Sequence, residues 1–104
     1  MYFSRIFKVK EGKLENIKDW FNQLSTSRKE EAVATFQYEG VTREVFVLFK
    51  GNDGNHYVIG FNEALDVPKK SDPSVLINQQ HTAIKQECLE PISDRGETLM
   101  DLSL

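Results

Sequence analysis

The tightest constraint in this chain is the order in which its hydrophobic period changes: strand, helix, strand, strand, helix, strand. That order matches a split β-α-β unit used twice. We therefore expect an α+β, ferredoxin-like βαββαβ domain, a four-stranded antiparallel sheet with the helices on one face. All of residues 1–104 fit one such domain. The arrangement leaves the other sheet face bare, and whatever covers that face is expected to shape the functional site.

Tyr2 to Val9 reads as the first strand, with Phe3, Arg5, Phe7 and Val9 on one side and Tyr2, Ser4, Ile6 and Lys8 on the other. Large apolar groups on both sides suit a central strand better than an edge. From Lys13 the period turns helical: Leu14, Ile17, Phe21 and Leu24 form a stripe that Trp20 widens. Ser25-Thr26-Ser27 interrupts it, and Ser27 with Glu30 has the form of a capping box. A second helical stretch from Arg28 to Tyr38 should stop at Gly40. The pattern leaves open whether residues 13–38 make one kinked helix or two.

Val41 to Lys50 is apolar on both faces, and Gly51 to Asn55 has the residues a hairpin turn requires. The returning strand, His56 to Asn62, sets Tyr57, Ile59 and Phe61 on one face; Gly60 on the other marks a bulge or a close approach. After a loop from Ala64 to Asp72, Asp72-Pro73 signals a helix start. This helix is expected to reach Leu89, ahead of Pro91, with Ile77, His81, Ile84 and Cys88 inward and Leu76 and Ala83 beside them. Met100, Leu102 and Leu104 alternate with polar residues, which predicts the last strand there.

A net charge of -3 argues against nucleic acid or anionic lipid as a partner. The basic groups Lys8/Lys10/Lys13, Arg28/Lys29 and Lys69/Lys70 read as solvated faces. No apolar run is long enough to span a bilayer, and the N-terminal residues lack a signal-peptide pattern. One cysteine, Cys88, excludes an internal disulfide, so a cytoplasmic setting is expected.

Four residues stand out as candidates for chemistry. Arg5 shares a strand face with three apolar side chains, where a guanidinium needs a partner. Either Glu44 on the second strand pairs with it, or Arg5 is a fixed cation that clamps a carboxylate, phosphate or enolate. His81, on the inner stripe of the last helix, reads either as a hydrogen-bonded core residue or as a general acid or base with a pKa near 6.5. Tyr57 is a sheet residue whose hydroxyl can donate to a ligand. Cys88 reads as an inert buried thiol and His56 as exposed. Two histidines so placed form no metal site, and no Gly-rich phosphate loop or other cofactor motif is present.

The opening Arg5-Ile6-Phe7-Lys8-Val9-Lys10-Glu11-Gly12-Lys13 resembles the start of the dimeric α/β-barrel proteins. His81-Thr82-Ala83-Ile84 is similar to the His-x-x-(Phe or Ile) of the stress-responsive α/β-barrel group. Arg28-Lys29-Glu30-Glu31-Ala32, Glu39-Gly40-Val41 and Glu87-Cys88 resemble small bacterial proteins of an uncharacterised family. The resemblance implies a homodimer whose sheets pack through their bare faces and enclose a cavity in each half, lined by Phe3, Arg5, Phe7 and Val9. The superfamily includes cofactor-independent monooxygenases, haem-degrading enzymes, sugar mutarotases and polyketide cyclases, and fold alone does not choose among them. The His-Pro-x-His of cyclase-type members is replaced here by Asn78-Gln79-Gln80-His81, which keeps one histidine. A haem-degrading site finds no matching asparagine, tryptophan and histidine.

Three functions follow as expectations. One is a dimer with a pocket for a small anionic or aromatic molecule on the open sheet face, held by Arg5, Glu44 and Tyr57. Another is a monooxygenase- or cyclase-like enzyme without cofactor, using His81. The third is a non-enzymatic interaction module with a filled interior.

Overall fold

The computed structural model describes all of residues 1–104. Strand β1 (Tyr2–Val9) leads through a turn at Gly12 into α1 (Leu14–Ser25). Two short helices follow, α2 (Lys29–Ala34) and α3 (Phe36–Glu39), then the hairpin β2 (Val41–Lys50) and β3 (His56–Ala64), then α4 (Leu76–Cys88) and β4 (Leu89–Pro91). The sheet order is β2-β3-β1-β4, every neighbour antiparallel, which is the ferredoxin-like arrangement.

Residues 13–38 are three separate helices. At the first break, Ser25 Oγ donates to the Phe21 carbonyl and Thr26 Oγ1 to that of Asn22, so hydroxyls compete for the acceptors that would continue the helix. Thr35 does the same to Ala32 at the second break. The Ser27–Glu30 capping box does not form: Arg28 occupies the cap position, with no side-chain cap bond, and pairs instead with Glu31 at 2.9 Å. Gly40 ends α3 at φ 77°, a left-handed stop that suits glycine.

The fourth strand departs from expectation. It begins at Leu89, with no turn after α4, and Leu89 lies buried opposite Val9. The chain then follows the outer edge of β1. Ile92 donates its N–H to Ile6 O, Ser93 Oγ accepts from Ile6 N–H, and Gly96 N–H reaches Ser4 O at 2.7 Å. Residues 100–104 form no strand, and Leu99, Met100, Leu102 and Leu104 are exposed. The edge of β1 is taken by the first residues to reach it, so the alternating tail finds no ladder. The start of α4 also shifts. Asp72 Oδ1 accepts from Ser74 N–H and Oγ, which makes Asp72–Ser74 a turn and delays the helix to Leu76, itself exposed.

The core is one cluster: Phe7, Val9 and Val58 from the sheet, Ile17 and Trp20 from α1, Ile77 and Cys88 from α4, and Leu89. The odd-numbered side of β1 thus faces the helices. Register carries this assignment across the sheet, placing Phe3, Asn62 and Glu44 in one row and Arg5, Gly60 and Phe46 in the next. The bare face is the even side: Tyr2 and Ile6 of β1, Val45, Val47 and Phe49 of β2, and Tyr57, Ile59 and Phe61 of β3. A cavity lined by the odd side of β1 therefore lies under the helices, not on the open face. The physical reason is polarity: Phe7 and Val9 enter the core under α1 and α4 at no desolvation cost, while Ser4 and Lys8 on the other side would bury a hydroxyl and an ammonium.

Gly60 is a site of close approach. A Cβ there would stand 2.7 Å from Phe46 Cε1, and Phe46 stacks on Phe21 with ring centroids 4.5 Å apart. Gly60→Ala should destabilise the fold by about 1–3 kcal/mol through overpacking. Adding Phe46→Leu should restore part of that loss in urea titrations, which a backbone effect of Gly60 would not allow.

Candidate functional site

The cleft between the sheet and α4 brings together cationic, acidic, amide and imidazole side chains from separate elements. Two cavities of about 250 and about 210 Å³ lie in it and share Phe46, Asn62 and Lys85 in their walls. Cations line the first: Arg5 from β1, Lys85 from α4, Lys69 and Lys70 from the loop after β3, and Arg95 from the tail. Phe3, Phe7 and Phe46 form its apolar surface. Lys85 Nζ sits 5.1 Å from the centre of the Phe7 ring, and the Arg95 guanidinium 5.5 Å from that of Phe3. Ring faces thus hold these charges where carboxylates usually would. The ion pairs of the chain, Lys13–Glu87, Lys18–Glu15 and Arg28–Glu31, lie elsewhere. Lys69 N–H bonds to the Glu39 carbonyl at 2.9 Å, which pins the basic loop at the mouth.

The second cavity is lined by groups that accept and donate hydrogen bonds. Glu39 closes α3, Glu44 lies on β2, and His81 and Lys85 are one turn apart on α4. Burial pushes the Glu44 carboxyl above its ordinary pKa, nearby Glu39 adds to the rise, and Lys85 opposes it. Burial raises Glu39 as well. Lys85 is lowered by burial, against the pull of Glu44. With its amide nitrogen turned toward the cluster, Asn62 donates to Glu44 Oε2 at 3.2 Å.

His81 Nδ1 accepts a 2.8 Å hydrogen bond from Trp20 Nε1–H. Indole is only a donor, so Nδ1 carries no proton and the neutral ring holds its proton on Nε2. Phe21 and Phe46 meet the imidazole edge-on. Burial, with help from Lys85, lowers its pKa to about 4. At neutral pH His81 is therefore an N–H donor and not the acid or base of pKa near 6.5 that its type suggests.

The expected Arg5–Glu44 pair is absent, because β3 runs between β1 and β2: Arg5 lies across from Gly60, and Glu44 across from Asn62. Tyr57 lies on the opposite face, in register with Lys8 and Phe49, and its hydroxyl donates to Asp53 in the hairpin turn. That bond raises the phenol pKa and lowers that of Asp53. Tyr57 is thus separated from the cleft that holds Arg5, Glu44 and His81. Cys88 is buried in the core, where burial raises its thiol pKa.

Sequence reasoning missed Lys85, Asn62, Glu39 and Arg95. Lys85 had a legible signal, since it follows His81 by four residues on the inner stripe of α4. Asn62 and Arg95 had none, because their placement depends on register and on the path of the tail. Lys69 and Lys70 are exposed, as a solvated reading requires, yet they stand at the mouth of the cleft.

Unfolded, the His81 imidazole returns to its ordinary value of 6.5, and in the fold it titrates near 4. Between these values the unfolded chain binds a proton that the folded chain refuses. The stabilisation is fully present above pH 6.5 and is lost as pH falls toward 4, by up to about 3 kcal/mol. Protonation of Glu44 and Glu39 works in the opposite sense, since their raised pKa values favour the folded state as pH falls. His81→Gln keeps an acceptor for Trp20, so the difference between it and the wild type in denaturation midpoints across pH 4–7 isolates the imidazole. A difference that does not change with pH would contradict a half-buried His81 kept neutral by the fold.

No curated protein matches the chain. The crystal structure of L-rhamnose mutarotase from Formosa agariphila superposes with a TM-score of 0.60 at 14% identity, covering 99% of each chain. At that identity the likeness is one of fold. Residues 3–103 match a family described as a family of unknown function (DUF6176), and the chain belongs to that family.

Proposed function

We propose that this protein is a homodimer that binds a small organic anion in the cleft between its sheet and its helices. One observation carries the ligand reading: five cationic side chains line one cavity, none within ion-pair distance of a carboxylate, in a chain of net charge -3. Such a cluster repels itself when empty and attracts anions when a ligand is near. Its aromatic lining suits the carbon skeleton of an organic anion. These cavities speak against a packed interior and so against the pure interaction module. Their lining favours the helix side over the open face as the place for a ligand.

The bare face supports the dimer. Ile6, Val47, Phe49 and Phe61 are exposed there on three adjacent strands, and clustered apolar groups of this kind mark an interaction surface. A second copy, presenting the same patch through a two-fold axis, covers it without asking for a different partner. The buried free thiol of Cys88 fits the reducing setting of the cytoplasm.

An enzymatic reading has one observation in its favour. Glu44 and Lys85 line the same cavity, where burial raises the carboxyl pKa and lowers that of the ammonium. Such a pair suits proton transfer without a cofactor, as monooxygenase-, cyclase- or mutarotase-like chemistry requires.

A thermal-shift panel of small carboxylates and phosphates should contain compounds that raise the melting temperature, by about 2.7 kcal/mol of stabilisation at a hundredfold excess over Kd. Arg5→Met and Lys85→Met should remove that shift while leaving the fold intact. No hit across the panel, or undiminished shifts in both variants, would overturn the anion site. Light scattering at micromolar concentration should give twice the chain mass, and Phe61→Glu should reduce it to one chain. A monomeric wild type would refute the dimer.

A further inference from the structure

The two cavities share a wall but differ in chemistry, and the difference constrains what spans them. Each falls below the roughly 300 Å³ at which small-molecule sites usually begin, while the two taken together lie within that class. We propose that the ligand is a hydroxylated organic anion, its charged group among Arg5, Lys85 and Arg95 and its hydroxyls against Glu44, Asn62 and His81. The inference rests on the anion reading above and adds the class of molecule.

The inner cavity is unsuited to a second anionic group, because Glu39 and Glu44 line it. It is equally unsuited to a bare hydrocarbon, which would cover the remaining oxygens of Glu44 and Asn62 and the imidazole N–H without giving them partners, at a cost of about 1–3 kcal/mol each. Hydroxyl groups meet both conditions, since each accepts one hydrogen bond and donates another. The acceptors and donors needed for that exchange are present together. Glu44 offers its second carboxyl oxygen and Asn62 its amide oxygen, the amide nitrogen being engaged by Glu44, while His81 retains only Nε2–H once Trp20 has taken Nδ1. Thr82 and Ser71 add hydroxyls to the same wall. Phe46, common to both cavities, gives the C–H face of a polyol an aromatic surface to lie on.

Lys85 joins the two halves. It lines both cavities, is held over the Phe7 ring, and lies close enough to Arg5 and Glu44 for each to affect its charge. An anion bound at Lys85 thus carries its substituents past Asn62 toward Glu44. The order charge, aromatic surface, hydroxyl partners along the cleft is the order of groups in a sugar phosphate or a sugar acid.

Matched probes test this on the native protein. Glucose 6-phosphate and hexyl phosphate carry the same headgroup with and without hydroxyls, as gluconate and hexanoate do for a carboxylate. Inorganic phosphate and L-rhamnose report the charged and hydroxylated parts alone. By isothermal titration, the hydroxylated member of at least one pair should bind about tenfold or more tighter than its bare counterpart. It should also bind tighter than inorganic phosphate or L-rhamnose. Glu44→Gln and Asn62→Leu, checked for folding by circular dichroism, should shrink the ratio of affinities between the hydroxylated member and its bare counterpart, which carry the same headgroup and so share any change at Lys85. Equal or tighter binding of the bare member in both pairs would overturn the hydroxyl assignment and leave the anion site standing. Binding of L-rhamnose alone, with no response to any anion, would overturn both, as would silence from every probe.

Discussion

Strand β1 is hydrogen-bonded along both edges, to β3 on one side and to β4 and the tail on the other, and its two faces are unlike. Phe7 and Val9 go under the helices and seed the core; Tyr2 and Ile6 remain on the bare face. A slip of one residue in this strand would exchange the two sets and bury Ser4 and Lys8 instead. The β1 register therefore settles which side of the sheet is core, which is left for a partner, and which way Arg5 points. The cleft and the bare face are two consequences of one alternation.

The cleft departs from a fully packed core where polar groups replace apolar ones along the same rows. Below Phe7 and Val58, the sheet offers Arg5, Gly60, Asn62 and Glu44, and α4 offers His81 and Lys85 above them. The absence of a side chain at Gly60 admits the Phe46 ring, which then separates a cationic compartment from an acidic one. Trp20 ties the two long helices across this region through its bond to His81, with the Arg28 guanidinium over its other surroundings at 5.5 Å from the ring centre. A polar cluster costs stability when its members are buried without full pairing, and natural proteins keep such clusters chiefly at functional sites. Here Glu44 and Lys85 are shifted toward their neutral forms by burial.

Element order, the central position of β1, the β2–β3 hairpin and the inner stripe of α4 were legible because each rests on a local period or turn. The helix breaks at Thr26 and Thr35 were only partly so, since hydroxyl back-bonding leaves no mark on hydrophobic spacing. The last strand was misplaced because alternation in residues 100–104 is a valid strand signal, yet edge pairing went to the residues nearest α4. Arg5 and His81 stand out in the sequence as polar residues on apolar stripes, and Glu44 only as a pairing partner for Arg5, a pairing that the register prevents. Tyr57 was drawn in by its chemistry, but its register sends it to the other face and its hydroxyl is engaged by Asp53.

Taken alone, the chain's pattern of hydrophobic and turn residues determined a βαββαβ domain with two unlike sheet faces, because period and turn chemistry act over a few residues. Only tertiary structure decided which face the helices cover, that Arg5 and Glu44 stay unpaired across β3, and that Lys85, Asn62 and Arg95 join one cleft. Those outcomes depend on strand order, register and the path of the tail. They are set by contacts between residues far apart in the chain, whose energies no local period records.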